Sequence, residues 1–172
     1  NAMSDVSASE AIAGVVAIGY EALKGSSSTT TGPQYSVAIG HSALKSITTG
    51  ASNTMVGFNA GALLTTGASN TVVGYTAFDA ADGGEQGNVA IGMLAMSAVD
   101  EGGGAADNNV CIGYNAGFGG ATTLFSENVA IGYNAFDGSS TQLVDKVVAI
   151  GYDALGGAVE DEVTGTVALG HS

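Results

Sequence analysis

One short motif recurs nine times along this chain. It reads apolar, small, apolar, glycine, aromatic, any residue, alanine, apolar, as in NVAIGYNAF at 128–136. Two stretches, TTGASNTMVG at 48–57 and TTGASNTVVG at 65–74, are nearly duplicates. A motif repeated at a mean period of about 19 predicts stacked identical units. The motif glycines are Gly19, Gly40, Gly57, Gly74, Gly92, Gly113, Gly132, Gly151 and Gly170.

Each motif begins with three residues typical of a short β-strand, such as Val89-Ala90-Ile91. Alternation along a strand puts Val and Ile on one face and Ala on the other. The glycine that follows predicts a turn. The Ala-Leu or Ala-Phe pair after it predicts a second short strand or a bend. The next residues are rich in Gly, Ser, Thr, Asp and Asn and vary in number, which indicates a loop.

A single coil of this kind cannot bury its own apolar face, but stacked coils can, with Val on Val and Ile on Ile. We therefore predict an all-β fold, a parallel β-solenoid (β-roll) of about nine short coils over residues 15–172. Nine coils at about 4.8 Å each give a rod about 40 Å long. Residues 1–14 are assigned to an N-terminal lead-in that opens with Asn1-Ala2-Met3, which looks like a cloning scar. A sandwich of hairpins would instead show non-identical strands.

The net charge of −13, with three Lys and no Arg, lacks the basic surface that nucleic acids require. An anionic membrane surface would repel such a chain, and no apolar stretch approaches the length of a membrane span. We expect neither nucleic-acid binding nor membrane insertion.

Because Cys111 is the only cysteine, an intrachain disulfide is excluded.

The residues with reactive side chains sit at positions that the repeat itself explains. His41 and His171 occupy the slot that Tyr fills in most motifs, and Cys111 replaces the small residue of the strand. We interpret the two histidines as variants of the motif at a surface or an interface. We interpret Cys111 as a small buried residue. Three equivalent histidines on a trimer axis, holding a metal or an anion, are the open alternative. We predict no catalytic residue, no cofactor and no metal site.

The acidic residues are scattered over loops and do not form a recognisable site. Loop carboxylates suit calcium, but neither an EF-hand nor a GGxGxD pattern is present. A carboxylate pair of a carbohydrate-active enzyme is a further alternative, although the chain has no Arg and no Trp for a sugar substrate. Thr pairs such as Thr48-Thr49 leave ice binding open as another. The loop acids considered are Asp79, Asp82, Glu85, Asp100, Glu101 and Asp107, whereas Glu21 and Asp153 share a motif slot and predict a solvated stripe.

The stretches SVAIGHS at 36–42 and TVALGHS at 166–172 resemble the SVAIGxxS head repeat of trimeric autotransporter adhesins. NVAIGYNAF is similar to the longer variants of bacteriophage tail fibres. The resemblance implies a parallel β-roll, three chains around one axis and a role in surface attachment. It places the chain in a virion tail fibre or on a bacterial cell surface, with a host glycan or protein receptor as its partner.

Trimer formation is also plausible from the residues, because most strands carry Ala on their second face and a column of Ala allows close approach of another surface. That surface is either a partner chain or the chain's own second strand. We expect a non-enzymatic, homotrimeric fibre segment whose loops at 25–35, 79–87, 97–108 and 137–145 carry recognition. The alternatives are a monomeric solenoid, a carbohydrate-active β-helix enzyme and an ice-binding solenoid. The Ala column comprises Ala17, Ala38, Ala90, Ala130, Ala149 and Ala168.

Overall fold

The computed structural model describes residues 1–3, 13–25, 33–99, 106–119, 125–138, 144–157 and 163–171. These residues form twelve short β-strands and no helix, so none of them belongs to a helix that could span a membrane. The nine three-residue strands are β1 (Val16–Ile18), β2 (Val37–Ile39), β3 (Thr54–Val56), β4 (Thr71–Val73), β5 (Val89–Ile91), β6 (Val110–Ile112), β8 (Val129–Ile131), β10 (Val148–Ile150) and β12 (Val167–Leu169). The two-residue strands are β7 (Phe125–Ser126), β9 (Val144–Asp145) and β11 (Val163–Thr164).

The nine motif strands make one parallel sheet in the order β1-β2-β3-β4-β5-β6-β8-β10-β12. Equivalent motif positions pair across it, so Val16 pairs with Val37 and Ile18 pairs with Ile39. The two-residue strands form a second parallel sheet in the order β11-β9-β7. Because each motif adds one strand beside the last, the chain is a β-solenoid. The predicted all-β class, the parallel stacking and the Val-on-Val register are confirmed.

The middle residue of each three-residue strand faces the interior of the solenoid. From β2 to β10 these residues are completely buried, and they pack with Leu, Phe and Met side chains of the following turns. The Ala column therefore meets the chain's own second segment, as one of the two expectations had it. That segment is a turn and not a strand: Leu44 and Phe78 lie there with φ of 51° and 56°. The buried middle residues are Ala38, Met55, Val72, Ala90, Cys111, Ala130 and Ala149.

The expectation that stacking buries the Val and Ile face was wrong, because the structure turns that face outward. A coil as short as one repeat encloses a narrow interior. Strand residues as small as Ala38 leave room there for turn side chains such as Leu44. Where the strand contributes the larger Met55, the corresponding turn residue is Gly61, and a Cβ there would overlap the Met55 side chain. From β2 to β10, stacking thus buries the middle residue of each three-residue strand, which is Ala in most coils, and leaves the flanking residues on the surface.

The motif glycine makes the close stacking of turns possible. Gly40 has a φ of 135°, which side chains rarely adopt, and its Cα approaches the backbone of Gly57 in the next coil. A Cβ at Gly40 would overlap the carbonyl oxygen of Gly57. The same relation holds from Gly19 to Gly151, whereas a Cβ at Gly170 would meet no described atom and only its φ of 125° favours glycine there.

A buried ladder of asparagines joins the coils just before the strands. Each Oδ1 accepts hydrogen bonds from the backbone N–H and the Nδ2 of the next asparagine, and each Nδ2 also donates to a backbone carbonyl. The ladder begins at Ser36, whose Oγ accepts from the N–H of Asn53, and ends at the N–H of Val147. Its polar groups are therefore paired inside the protein. The members are Asn53, Asn70, Asn88, Asn109 and Asn128.

Candidate interaction surface

The outward side chains of the nine-stranded sheet form a continuous uncharged surface, which we call the outer face. It consists of the first and third residues of each strand, and every one is at least partly exposed. Ile91, at the centre of the sheet, retains 37% exposure. The residues are Val16, Ile18, Val37, Ile39, Thr54, Val56, Thr71, Val73, Val89, Ile91, Val110, Ile112, Val129, Ile131, Val148, Ile150, Val167 and Leu169.

An aromatic column runs alongside the outer face, two residues beyond the last strand position of each motif. Its rings stack at 4.9–5.2 Å between centroids, close to the strand spacing. The one non-aromatic member, Met93, separates the stack into two runs. In chain order the column is Tyr20, His41, Phe58, Tyr75, Met93, Tyr114, Tyr133, Tyr152 and His171.

The size of this surface is unusual for an isolated soluble chain. The nine strands at about 4.8 Å and the five residues from the first strand position to the aromatic column at about 3.3 Å give about 40 Å by 15 Å, on the order of 600 Å² for the outer face and the aromatic column together. The largest exposed apolar patch on a monomer is typically about 300–600 Å² and often functional, so this surface lies at the top of that range. Although the chain has 16 acidic residues, the outer face contains none of them, nor any Lys. We therefore treat the outer face as the candidate interaction surface.

The two histidines lie in the aromatic column, as the motif predicts. The His41 ring lies between Tyr20 and Phe58, and its Nδ1 is 2.9 Å from the hydroxyl of Ser42. His171 stacks on Tyr152 at the other end of the sheet. One chain therefore does not bring the two histidines together, and a ring of three equivalent histidines remains an alternative for an oligomer.

Cys111 is the buried middle residue of β6, which confirms its interpretation as a small core residue. Burial raises the pKa of its thiol to about 12. The thiol is therefore protonated at neutral pH, and its reactivity as a nucleophile is low.

The acidic residues of the loops do not come together in one site within the described residues. Glu85 is 2% exposed, and its Oε1 accepts the N–H of Gly83 at 3.1 Å, whereas Oε2 has no partner within the described residues. Asp107 accepts the N–H of Gln86. Burial raises the pKa of the Asp79 carboxyl. Asp100 and Glu101 lie outside the described residues. Among the described ranges, no three acidic, His or Cys side chains come together as ligands of a metal.

Glu21 is partly exposed, as is Asp153 at the same motif position. The Glu21 carboxylate pairs with Lys45 at 3.0 Å and Lys24 at 3.1 Å, and these hydrogen bonds lower its pKa. The ion pair with Lys45 connects the first two coils, whereas Lys24 belongs to the same coil as Glu21. Of the four predicted recognition loops, 79–87 is fully described, and the other three lie partly outside the described residues.

Sequence reasoning missed the direction of the outer face and the asparagine ladder. The second had a visible signal, since Asn precedes the strand directly in five motifs. No protein-family model, no curated protein and no solved structure matches this chain.

Proposed function

We propose that this chain is a non-enzymatic segment of an extracellular fibre that attaches to a host surface, and that it assembles as a homotrimer through its outer face. The observation that carries the proposal is an apolar surface about 40 Å long and free of charge on a chain with a net charge of −13. Water contact with such a surface is unfavourable by roughly 25 cal/mol for each Å². A partner that covers it would therefore stabilise the rod.

A second copy of the chain is the partner whose shape fits the outer face best. The face is a set of straight columns repeated at the strand spacing, and another copy presents the same columns with the same length. Packing of these faces brings no carboxylate into the interface. At about 600 Å² per chain, three copies around one axis bury about 1,800 Å² in total, which is about 600 Å² for each pair of chains. The number three rests on the resemblance of 36–42 and 166–172 to trimeric head repeats.

The loops between the motifs are the proposed recognition elements. Their lengths differ from coil to coil, since Gly40 and Gly57 are closer together in the sequence than Gly19 and Gly40. A stiff parallel stack holds such loops in fixed rows, as binding loops on a rigid scaffold require. A virion tail fibre or a bacterial cell surface is the setting in which a rod with these loops would contact a host glycan or protein.

The test of assembly is the mass in solution. Light scattering after gel filtration should give three times the chain mass of 16.7 kDa. Ile91→Asp puts a carboxylate at the centre of the outer face and should give a folded monomer, judged by an unchanged β-sheet circular dichroism spectrum. Thr66→Asp, at an exposed loop residue outside the face, should leave the mass unchanged. A monomeric wild-type chain would refute assembly through this face.

The test of attachment uses the assembled protein on a glycan array and on whole host cells. Binding that is lost when the described loop 79–87 is replaced by the corresponding loop of another motif would support recognition by loops. Absence of binding to every candidate host surface would reduce the role to that of a spacer.

A further inference from the structure

Three tyrosines stand in consecutive coils of the aromatic column. The ring centroids of Tyr114 and Tyr133 are 4.9 Å apart with planes at 13°, and those of Tyr133 and Tyr152 are 5.2 Å apart with planes at 5°. The three side chains are 39%, 46% and 50% exposed. The other tyrosines of the column lack a tyrosine neighbour, because Tyr20 adjoins His41 and Tyr75 lies between Phe58 and Met93.

The backbone holds these rings in place on both sides. The N–H of Asn134 donates to the carbonyl of Tyr114 at 3.0 Å, and the N–H of Asp153 donates to the carbonyl of Tyr133 at 2.9 Å. Neighbouring phenols therefore cannot diffuse apart while the coils are stacked. Their exposed edges leave the rings free to tilt towards each other. This arrangement gives a high effective concentration of one phenol beside the next.

We propose that Tyr114–Tyr133 and Tyr133–Tyr152 are sites of oxidative dityrosine cross-linking. A one-electron oxidant of the haem peroxidase class removes one electron and one proton from each phenol. The two phenoxyl radicals join through the ring carbons ortho to their oxygens. The hydrogen on each joined carbon then moves to the oxygen of its own ring, which restores both phenols. The two hydrogen atoms lost overall reduce one hydrogen peroxide to two waters.

Such a bond would be a covalent rung between turns that are otherwise joined by hydrogen bonds and packing. Each rung closes a loop as long as one coil, because successive tyrosines here stand one repeat apart. A rod with these rungs would resist separation of its C-terminal coils. Bond formation does not require the proposed trimer, because both rings of each pair belong to one chain. A second copy packed on the outer face and the aromatic column would cover these rings, so the monomeric Ile91→Asp variant presents them most openly.

The experiment treats the intact protein with hydrogen peroxide and a haem peroxidase and follows dityrosine fluorescence. Digestion after acidic residues separates the partners, since Glu127 lies between Tyr114 and Tyr133 and Asp145 lies between Tyr133 and Tyr152. Mass spectrometry should then find pairs of these peptides joined with the loss of two hydrogens. A mixture of isotopically heavy and light chains distinguishes bonds within one chain from bonds between chains.

Tyr133→Phe removes both rungs while it keeps a ring in the stack, and it should abolish the intrachain product. Tyr75→Phe is the matched control and should leave the yield unchanged. The inference fails if the product joins only different chains, if Tyr133→Phe retains the intrachain product, or if the folded Ile91→Asp monomer yields no dityrosine. The Ile91→Asp variant should form the same intrachain rungs, which separates this result from the fate of the trimer.

Discussion

At the residue scale, the repeat places non-glycine residues in left-handed backbone conformations at fixed positions of the motif. The second residue after the motif glycine is one of these, and Asn occupies it in several coils: Asn59, Asn115 and Asn134 have φ between 51° and 58°. Asn tolerates this region better than most residues. Where the slot holds another residue, the backbone conformation is less favourable, and the stacking must offset that cost.

Thr76 is the clearest case, because a β-branched residue is held there at a φ of 47°. Its hydroxyl is also buried without a hydrogen-bond partner within the described residues. We expect Thr76→Asn to raise the free energy of unfolding by about 1 kcal/mol, since it removes the strain of branching and supplies an amide able to hydrogen bond. The measurement is the urea midpoint. Thr66→Asn, at an exposed loop residue, should change it little, and a lower midpoint for Thr76→Asn would contradict this reasoning.

At the scale of the element, the asparagine ladder is the polar counterpart of the inner Ala column. It satisfies backbone donors and acceptors where each coil turns into its strand, and its bonds run along the rod from Asn53 to Val147. Each internal asparagine forms hydrogen bonds with the asparagine of the preceding coil and with that of the following coil. The ladder therefore couples successive coils along the rod. Loss of one member leaves partners on both sides unpaired in the interior.

We therefore expect Asn88→Ala to lower the free energy of unfolding by about 3 kcal/mol, because the buried N–H of Asn109 and the carbonyl of Ala106 both lose their partner. Chemical denaturation monitored by circular dichroism measures the loss. Gln86→Ala, at an exposed residue nearby, is the control and should stay near the wild-type value. If Asn88→Ala lowered the free energy of unfolding no more than the control does, the ladder would be a consequence of stacking and would not stabilise it.

At the scale of the whole molecule, every coil contacts its neighbours and the stability of the rod is a sum of such contacts. Burial of the outer face adds a second contribution to the stability of the rod, but only when another chain covers that face. The small interior, lined by Ala, supplies less apolar burial per residue than a large core would. A rod of this construction gains from association in a way that an ordinary globular domain does not.

If folding and association are coupled, the melting temperature should rise with protein concentration, because mass action favours the assembled state. Differential scanning fluorimetry over a wide range of protein concentrations tests this. The Ile91→Asp variant should melt at a lower temperature that does not depend on concentration. Superimposable wild-type curves at all concentrations would show that the outer face adds nothing to stability.

The sequence by itself determined the solenoid, its register and the division of each strand into a Val/Ile side and an Ala side, because these follow from periodicity along the chain. Glycine at nine fixed positions such as Gly40 fixed where the turns stack. Which side faces inward was not determined, since both sides are apolar. Only the tertiary structure decided it, through the narrow interior in which the turn residue Leu44 and the strand residue Ala38 of one coil are both buried. The adjacency of Tyr114, Tyr133 and Tyr152 likewise exists only in the stack, because it is the strand spacing, and not the sequence separation, that sets the distance between their rings.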